Sequence, residues 1–541
     1  MSMWRKFKNS LSPVREPIAA HAPTQRALRR TPTRRMQAGV DRVAGRLSFL
    51  PFSKAVVESE KGEPPVLVRE LPPLERPPTN SSAMYTNEQR APPPKLGLFD
   101  KVTRAAGSNY VFVGMLAIVA AWVVLGFVQG TTDTWQILMQ NASSIQVYVT
   151  DILLLRQQSN GMKSLLTTLA EMQSRNQSVD RLIRRIPDCE WMETHKSPAQ
   201  RLLSGSGRPV EEEQEETLLI EIHQMSRLKY VWNRTCRAVA VGLGSLWAFA
   251  FYWVGIFFWI GIGPIFQFSD TWQLYVNTAT AVALTFTSVF LQNIQQQQED
   301  NLEKSLEYAT KIDAEVEEHL RELAEDFKPN PIFEIPPPKA TRSERFIDYF
   351  ADIMGSGIGV TLSLVVVAIW LSVGHLLEFD DNWWLIIGTF TGLVGFIDGF
   401  ILRNVYAREE VRVNQEFRNI AAEDSKIFDL LNLPQPDPPV EPPSTMSTRV
   451  SRAAGDFSGL AATSIGSVVL VFILLGIASI MKWSETGQLL CNTPTMIIEG
   501  FLLLILIQAH NVANEERGRE FSGILKRRLL LNHYVLSLQQ I

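Results

Sequence analysis

Acidic, amide and hydroxyl side chains recur at fixed spacing inside the most apolar parts of this 541-residue chain. The stretch FSDTWQLYVNTAT at 268–280 and the similar stretch TDTWQILMQNAS at 132–143 contain the acids Asp270 and Asp133. Polar side chains follow these acids at offsets of three, seven and ten, which fall on one face of a helix. Oxygen ligands of this kind, with few Cys or His, suit divalent metal ions that are held weakly.

The same polar face can be followed in four segments of the chain. A carboxylate or amide that faces lipid is costly, so such groups usually face a bundle interior or water. We therefore predict that four polar faces line one central path for a cation. The candidate residues on these faces and at their outer ends are Asp133, Asp270, Asp381, Glu485, Asn277, Asn492, Glu499, Asp398, Asp151 and His375.

The outer candidates have a second interpretation. An Asp or Thr before the Trp-Gln-Leu phrase is a natural N-cap, and capping explains one acid per helix without any ligand. His375 belongs to the acidic loop HLLEFDD at 375–381, where its imidazole is either a ligand or an amphipathic anchor at the membrane surface. Both interpretations stay open for these residues.

The inner acids lie at or inside the membrane, where an ionisable group indicates a functional site by default. Asp151 is close to Arg156 in sequence, and Asp398 is similarly close to Arg403, so either acid could simply pair with its arginine. Glu499 is the deepest of the three and has no basic neighbour in its own helix. We expect Glu499 to be the most important acid.

Composition excludes several classes of protein. The three cysteines, Cys189, Cys236 and Cys491, show no paired spacing, so neither a disulfide framework nor a zinc knuckle is indicated. There is no P-loop and no glycine-rich dinucleotide turn. We predict that the protein is not an enzyme and needs no cofactor.

Apolar runs of spanning length occur eight times, in four pairs. A spanning helix needs about 20 mainly apolar residues, because the hydrocarbon core is about 30 Å thick. Short connections join the members of a pair, and long, charged, often proline-rich segments separate the pairs. We predict an all-α polytopic membrane protein with about eight transmembrane helices. The candidate spans are 109–129, 134–155, 239–264, 271–292, 355–377, 383–402, 459–481 and 488–508.

Basic residues set the orientation of these spans. Eight spans put both termini and the three long connections on one side of the membrane. Arginines such as Arg104, Arg234 and Arg449 flank the spans there, whereas the four short loops on the other side hold one base, Lys482. The positive-inside rule makes the arginine-rich side the cytoplasm. An acidic outer mouth above a basic inner rim attracts cations from outside.

The four pairs are related by sequence. In three of them, Gly-Ser precedes a tryptophan at fixed spacing, a glycine follows four residues later, and an acid follows seven residues after that. In the fourth pair, Phe472 replaces the tryptophan, Gly476 is kept, and Glu485 arrives two residues late. Each unit contains two spans, so all units cross the membrane in the same sense. We predict four parallel two-helix repeats around the path.

The spans define the predicted domain boundaries. Residues 299–325 show apolar residues at helical spacing and predict an amphipathic helix that runs on from the fourth span. It packs on another cytoplasmic helix, at 161–185 or 405–432, or on a second protomer of a homo-oligomer. The boundaries are a disordered basic and proline-rich cytoplasmic tail at 1–100, transmembrane hairpins at 101–160, 235–298, 346–404 and 451–512, cytoplasmic segments at 161–234, 299–345 and 405–450, and a cytoplasmic C-terminal segment at 513–541.

The N-terminal region has no apolar core of the length that a secretory signal requires. Residues 1–47 are rich in arginine and nearly free of acid, which also suits a mitochondrial presequence. Prolines argue against the continuous amphipathic helix of a presequence. We favour a disordered tail near the membrane surface.

The second unit resembles a known family. The stretch FSDTWQLYVNTATAVALTFTSVFLQNIQQQQ at 268–298 is similar to the signature of the low-affinity iron permease family. GSNYVFVG, DTWQILMQNASSIQVYVTDILLLRQQ and DNWWLIIGTFTG extend the likeness to fungal plasma-membrane transporters of Fe(II), over roughly residues 95–535. The resemblance implies uptake of Fe(II) with tolerance of copper, zinc and other divalent metals. It implies no ligand set, so the site residues above rest on the polar faces alone.

We predict low-affinity uptake of Fe(II), and of Cu, Zn and Mn, by a multi-pass plasma-membrane protein with both termini in the cytoplasm. Its partners are divalent metal ions and the lipid bilayer, and no nucleic acid. The membrane potential supplies about 2.3 kcal/mol per charge per 100 mV, so no coupling ion is required. The alternatives are a monovalent cation channel and a membrane-anchored scaffold whose polar faces merely join helices. The acidic outer loops argue against the scaffold.

Overall fold

The computed structural model describes residues 17–24, 67–69, 97–186, 227–379, 381–431, 433–435 and 446–539. These residues form three short strands and twelve helices. The strands are β1 (Ile18–Ala20), β2 (Leu67–Arg69) and β3 (Ile332–Ile335). The helices are α1 (Leu98–Ala106), α2 (Asn109–Gln129), α3 (Asp133–Arg185), α4 (Arg227–Leu243), α5 (Leu246–Ile262), α6 (Asp270–Ala324), α7 (Arg342–Met354), α8 (Gly357–Gly374), α9 (Asp381–Leu430), α10 (Met446–Ser458), α11 (Ala461–Ile480) and α12 (Glu485–Gln539).

The helices follow one order in each quarter of the chain: an amphipathic helix, an apolar helix and a long helix. The Gly-Ser dipeptides mark the junction between the first two. Gly107 ends α1, and the Ser108 hydroxyl caps α2 by accepting from the backbone N–H of Val111. Gly355 and Ser356 do the same between α7 and α8. Sequence reasoning missed α1, α7 and α10, because helices of 9 to 13 residues are too short to span a bilayer.

Six of the described helices are long and apolar enough to cross a membrane, namely α2, α6, α8, α9, α11 and α12. Helices α4 and α5 meet the same condition together, as one span bent by 57°. The described residues therefore give six or seven candidate spans where eight were predicted. Helix α3 is the difference, because polar residues such as Gln140, Gln146 and Asp151 interrupt its apolar stretch. The chain is a predominantly α-helical, multi-pass membrane protein.

The apolar helices α2, α5, α8 and α11 form an outer layer. They expose large apolar side chains such as Phe127, Phe251, Leu364 and Phe472. A continuous exposed surface of this kind suits contact with lipid tails, and a helix satisfies its own backbone hydrogen bonds there.

The long helices α3, α6, α12 and α9 form a closed ring in that order, since α3 and α12 each pack against both α6 and α9. At 50 to 55 residues, each helix is about 75–80 Å long, more than twice the hydrocarbon thickness. The predicted boundaries at 160, 298, 404 and 512 thus fall inside continuous helices. Beyond the membrane, Val179, Ile312, Ile427 and Leu531 join one apolar core.

A three-stranded antiparallel sheet, in the order β1-β3-β2, lies beside the C-terminal part of α3. Ile18 pairs with Ile335, and the backbone N–H of Ala22 donates to the Ser174 hydroxyl of α3 at 3.1 Å. Residues 17–24 and 67–69 fall in the region expected to be a disordered tail. They form regular structure here because both edges of β3 accept a strand.

Reciprocal tryptophan pairs join three of the apolar helices to the long helix that follows. The rings of Trp259 and Trp272 stack 3.9 Å apart, and each indole N–H donates to the other residue's carbonyl at 3.0 Å. Trp122 with Trp135 and Trp370 with Trp383 make the same arrangement. Gly126 is needed at its position because a Cβ there would overlap the Trp135 ring.

The fourth pair has a different register from the one expected. The backbone N–H of Trp483 donates to the Ala478 carbonyl, as that of Phe268 donates to Gly263 in the second pair. Both turns use left-handed backbone, at Trp483 (φ 54°) and Phe268 (φ 52°). Ala478, seven residues before Glu485, therefore takes the glycine position, and the expected delay of two residues is wrong.

Candidate cation path

The acids that begin the polar faces stand at the outer ends of the long helices. Asp133 and Glu485 are exposed, whereas Asp270 is half-buried and accepts a hydrogen bond from the Thr486 hydroxyl at 3.2 Å. The side chain of Asp381 lies outside the described residues. Thr132, the residue before Asp133, provides the N-cap of α3, so capping is not the role of that acid. Ser269 likewise caps α6 in place of Asp270.

His375 is exposed on the outer side, and its ring packs against Phe379 at a centroid distance of 5.4 Å. Among the side chains that the structure describes, no three His, Cys, Asp or Glu are close enough to hold a metal ion. The described part of the outer mouth therefore has no ready-made metal centre.

A ring of four apolar side chains closes the bundle just below the acids. Ile137, Leu274, Leu385 and Leu489 contact one another, one from each long helix, and none is more than 4% exposed. Each lies four residues after the acid of its helix. Sequence reasoning missed this ring, because one leucine in an apolar span carries no signal. The sequence did offer one signal for the ring, because all four residues lie at the same offset from the acid of their helix.

One helical turn further in, three asparagines reach the middle of the bundle. Asn277 and Asn492 are buried seven residues after Asp270 and Glu485, as predicted from their offsets. Asn141 joins them from α3, where Gly388 of α9 leaves room for its carboxamide oxygen. Buried polar atoms normally have partners, yet neither polar atom of the Asn277 side chain has a hydrogen-bond partner among the described residues. The Asn141 Nδ2 and the Asn492 Oδ1 also lack one.

The predicted face of α3 is wrong by one residue at this level. Gln140, at offset seven, donates from its amide to the Leu274 carbonyl at 3.4 Å and to the Thr278 hydroxyl at 3.2 Å. It therefore joins α3 to α6. Asn141 takes the central position opposite Gly388 of α9, and the sequence of α3 alone carried no signal for it.

Three threonines form the next layer, ten residues after the acids. Thr280, Thr391 and Thr495 each donate the hydroxyl proton to carbonyls one turn back in their own helix, at 2.7 to 2.9 Å for the nearest. A hydroxyl that donates its proton in this way has only lone pairs left to offer. These side chains can accept hydrogen bonds from water or coordinate a cation.

Three buried carboxyl groups lie below the threonines. Asp151 is 1% exposed, Asp398 is 0% exposed and Glu499 is 4% exposed. Asp151 and Asp398 are both close enough to Glu499 to act on it electrostatically. The Glu499 carboxylate lies against Gly395 of α9, where an added Cβ would be 2.8 Å from its Oε1.

The expected arginine partners of the inner aspartates pair elsewhere. Arg156 forms an ion pair with Asp100 of α1 at 2.8 Å, and Arg403 lies over the Tyr406 ring at 5.9 Å. Both oxygens of Asp151 and of Asp398 lack a hydrogen-bond partner among the described residues. Pairing with Arg156 or Arg403 is therefore wrong. Buried carboxylates without a counter-charge require a proton or a cation to neutralise them.

Some polar residues of the long helices do join helices. Ser143 donates to the Ala281 carbonyl at 2.7 Å and accepts from Thr285, and Gln146 donates to Ser288 at 3.1 Å. The scaffold interpretation accounts for these contacts between α3 and α6. It does not account for Asn277, Asp151 and Asp398, whose buried polar atoms bond to nothing described.

Comparison with known proteins shows which family the chain resembles. A sequence profile described as low affinity iron permease matches residues 98–203, 232–324, 343–432 and 447–519, together more than half of the chain. The chain is 40% identical over 438 residues to a low-affinity iron/zinc ion transport protein of Schizosaccharomyces pombe, covering 80% of this chain and 72% of the relative. It is 34% identical over 470 residues to a low-affinity Fe(2+) transport protein of Saccharomyces cerevisiae, covering 81% and 82%. No solved structure matches the chain.

Proposed function

Since the chain belongs to the low-affinity iron permease family, we propose that it carries Fe(II) and other divalent transition metals through the middle of the ring formed by α3, α6, α12 and α9. The observation that carries this proposal is the stack of buried polar atoms without partners, from Asn277 down to Asp151 and Asp398. The names of the relatives, which transport iron and zinc, support the choice of cargo. The protein then acts as a transporter rather than as an enzyme.

On this proposed path, a cation that enters from outside meets the layers in a fixed order. The outer acids raise its local concentration, and the apolar ring at Leu274 and Leu489 must separate before a hydrated ion can pass. Amide and threonine oxygens then replace part of the hydration shell. The carboxyl groups of Glu499, Asp398 and Asp151 follow one after another. Because the sites are stacked, the ion can pass from one to the next, and each site binds it weakly.

We propose eight spans in four parallel units, with α3 as a span and with α4 and α5 forming a bent one. Helix α3 supports this proposal because it packs along both α6 and α9, which are candidate spans. Its polar face meets the other long helices rather than lipid. The arginine-rich side lies in the cytoplasm together with both termini, and the membrane is the plasma membrane. The membrane potential and the metal gradient drive uptake without a cofactor.

The proposal is tested by radioactive Fe(II) uptake in yeast cells that lack their other iron uptake systems. Glu499→Gln and Asp398→Asn keep the side-chain shape and remove one negative charge each. We expect each variant to lose most of the saturable uptake at equal surface abundance. Glu303→Gln, an exposed acid further along α6, is the matched control and should behave like wild type.

Three outcomes overturn parts of the proposal. If wild type carries Fe(II) and both variants match it, the path does not pass the buried carboxyl groups. If wild type carries potassium and no divalent metal, the protein is a monovalent cation channel. If it carries no cation, the scaffold interpretation replaces transport.

A further inference from the structure

The axis of the long-helix ring is closed below the membrane. All four helices contribute side chains that are fully buried there, among them Leu169, Ala309, Phe417 and Ile524. Below these, Arg528 forms ion pairs with Asp313 and Asp424 across the middle of the bundle. A cation that reaches Asp151 and Asp398 therefore cannot continue along the axis. It has to leave the ring sideways.

A cavity of about 350 Å³ lies beside the ring just below these carboxyl groups. Its walls come from α3, α9, α7, the junction before α8 and the proline-rich linker after β3. Asn160 on its wall is exposed and Ser159 is half-exposed, so the cavity reaches the protein surface on the side that carries α7.

The helix faces that carry the inner aspartates continue into this cavity. Offsets of four and seven from Asp151 lead along α3 to Leu155 and Gln158, which both line it. Offsets of seven and eleven from Asp398 lead along α9 to Val405 and Glu409, which line the opposite wall. The cavity and the carboxyl groups thus lie on one continuous surface between α3 and α9.

The cavity wall combines apolar and charged side chains, and the charged ones carry a small excess of negative charge. It contains three carboxyl groups, Asp348, Asp352 and Glu409, and two guanidinium groups, Arg156 and Arg408. Arg156 pairs with Asp100, and Glu409 pairs with Arg412. These two partners add one charge of each sign, so the excess of negative charge remains.

The wall also holds one polar group that no protein contact explains. Gln158 is 3% exposed, and its amide nitrogen has no hydrogen-bond partner among the described residues. A buried amide of this kind normally bonds to water. The unpartnered amide therefore indicates that water occupies the cavity beside Gln158, one helical turn after Leu155.

We propose that this cavity is the cytoplasmic exit of the cation path, through which a hydrated divalent cation leaves between α3 and α9. The proposal rests on the proposed function, since it requires a cation to arrive at Asp151 and Asp398. It adds the direction of exit and assigns a role to Gln158, Asp352 and Glu409. The carboxyl groups would hold the leaving ion's hydration shell, and the paired arginines would keep that contact weak.

The test uses Ser159→Cys in a chain whose three natural cysteines are replaced. Inside-out membrane vesicles expose the cytoplasmic side to impermeant thiosulfonate reagents, and a fluorescent indicator reports Mn(II) flux. A cationic reagent on the introduced thiol should slow the flux about tenfold, because a fixed positive charge repels the leaving ion. An anionic reagent of similar size should slow it much less. Ser164→Cys, exposed on α3 outside the cavity, is the matched control and should be labelled without effect.

Two results would contradict the proposed exit at this cavity without contradicting transport itself. In the first, the thiol at 159 is labelled completely by both reagents and the flux is unchanged. In the second, only the control thiol is labelled, which means that water does not reach the cavity from the cytoplasm. Absence of Mn(II) flux in the unlabelled chain, with Fe(II) also failing, instead overturns the proposed function.

Discussion

Asn141 of α3 meets Gly388 of α9 across the middle of the bundle, and a Cβ on residue 388 would overlap the Asn141 carboxamide oxygen. In the layer of Asn141, Asn277 and Asn492, Gly388 is thus the position at which a long helix contributes space instead of a side chain. The neighbouring Gly392 similarly faces the Asn492 oxygen, at 3.5 Å from an added Cβ. Helix α9 makes the room into which α3 and α12 direct their amides.

Gly388→Ala should therefore reduce Fe(II) uptake. The added methyl displaces the Asn141 amide from the path, and we expect a loss of about tenfold, which corresponds to about 1.4 kcal/mol in the barrier. Uptake is measured at equal surface abundance. Gly255→Ala is the control, because nothing lies within 4 Å of a Cβ there. Asn141→Ser in the same chain should restore part of the uptake, and a failure to do so contradicts the overlap as the cause.

The apolar ring predicts a variant with increased transport. Replacing Leu274 and Leu489 together by alanine widens the ring and lets water enter, which lowers the barrier to a hydrated ion. We expect faster Fe(II) uptake and weaker discrimination against other cations, measured by competition with Mn(II) and Zn(II). Leu490→Ala removes the neighbouring, exposed leucine and should change neither. Unchanged uptake in the double variant would show that the ring does not limit passage.

Periodicity in the sequence predicted which polar side chains the long helices bury. Asn277, Asn492 and Glu499 were placed on the inner face because a helical face repeats every three or four residues, and all three are buried in the ring. The same reasoning chose Gln140 over Asn141, since two adjacent amides on one helix point about 100° apart and the sequence does not say which faces inward. The partner Gly388 decides it, and that contact is not local.

The remaining differences also come from long-range packing. The proximity of Asp151 to Arg156 in sequence suggested an ion pair, but Asp100 of α1 takes the arginine instead. The continuity of α3 was not predicted, because residues beyond 160 are too polar for a span and 161–185 was expected to form a cytoplasmic helix of its own. These residues continue α3 since the C-terminal parts of α6 and α9 bury one side of them. Local hydropathy therefore marked where the apolar stretch ends, and it did not mark where the helix ends.

The tryptophan pairs predict a stability effect that is separate from transport. Trp259→Phe keeps an aromatic ring stacked on Trp272 and removes the indole N–H that donates to the Trp272 carbonyl. We expect a loss of about 1 kcal/mol in stability, as for hydrogen bonds between other membrane helices. Thermal melting of the solubilised protein measures it. Trp247→Phe, at a site that is 85% exposed, is the control. An equal effect of both substitutions would contradict a role for the reciprocal bond.

The buried ion cluster in the C-terminal parts of the long helices predicts a larger and pH-dependent effect on stability. Arg528 is 2% exposed and pairs with Asp313 at 3.2 Å and with Asp424 at 2.8 Å. Arg528→Met removes the cation from two buried carboxylates, which should cost about 3–5 kcal/mol at pH 7.5. Arg184→Met breaks an exposed pair with Asp180 and should leave the melting temperature unchanged.

The pH dependence follows from Asp313. Burial raises the pKa of this carboxyl to about 6, although Arg528 opposes the rise. A carboxyl whose pKa is raised by folding destabilises the folded state, fully above that pKa and progressively less as the pH falls from it toward the lower pKa of the unfolded chain. Without Arg528 the pKa rises further, so the variant carries a larger penalty at pH 7.5 and is relieved on acidification. We expect the difference in melting temperature between Arg528→Met and wild type to be smaller at pH 5.5 than at pH 7.5. An equal difference at both pH values would mean that lost packing around Arg528, rather than uncompensated charge on Asp313, causes the destabilisation.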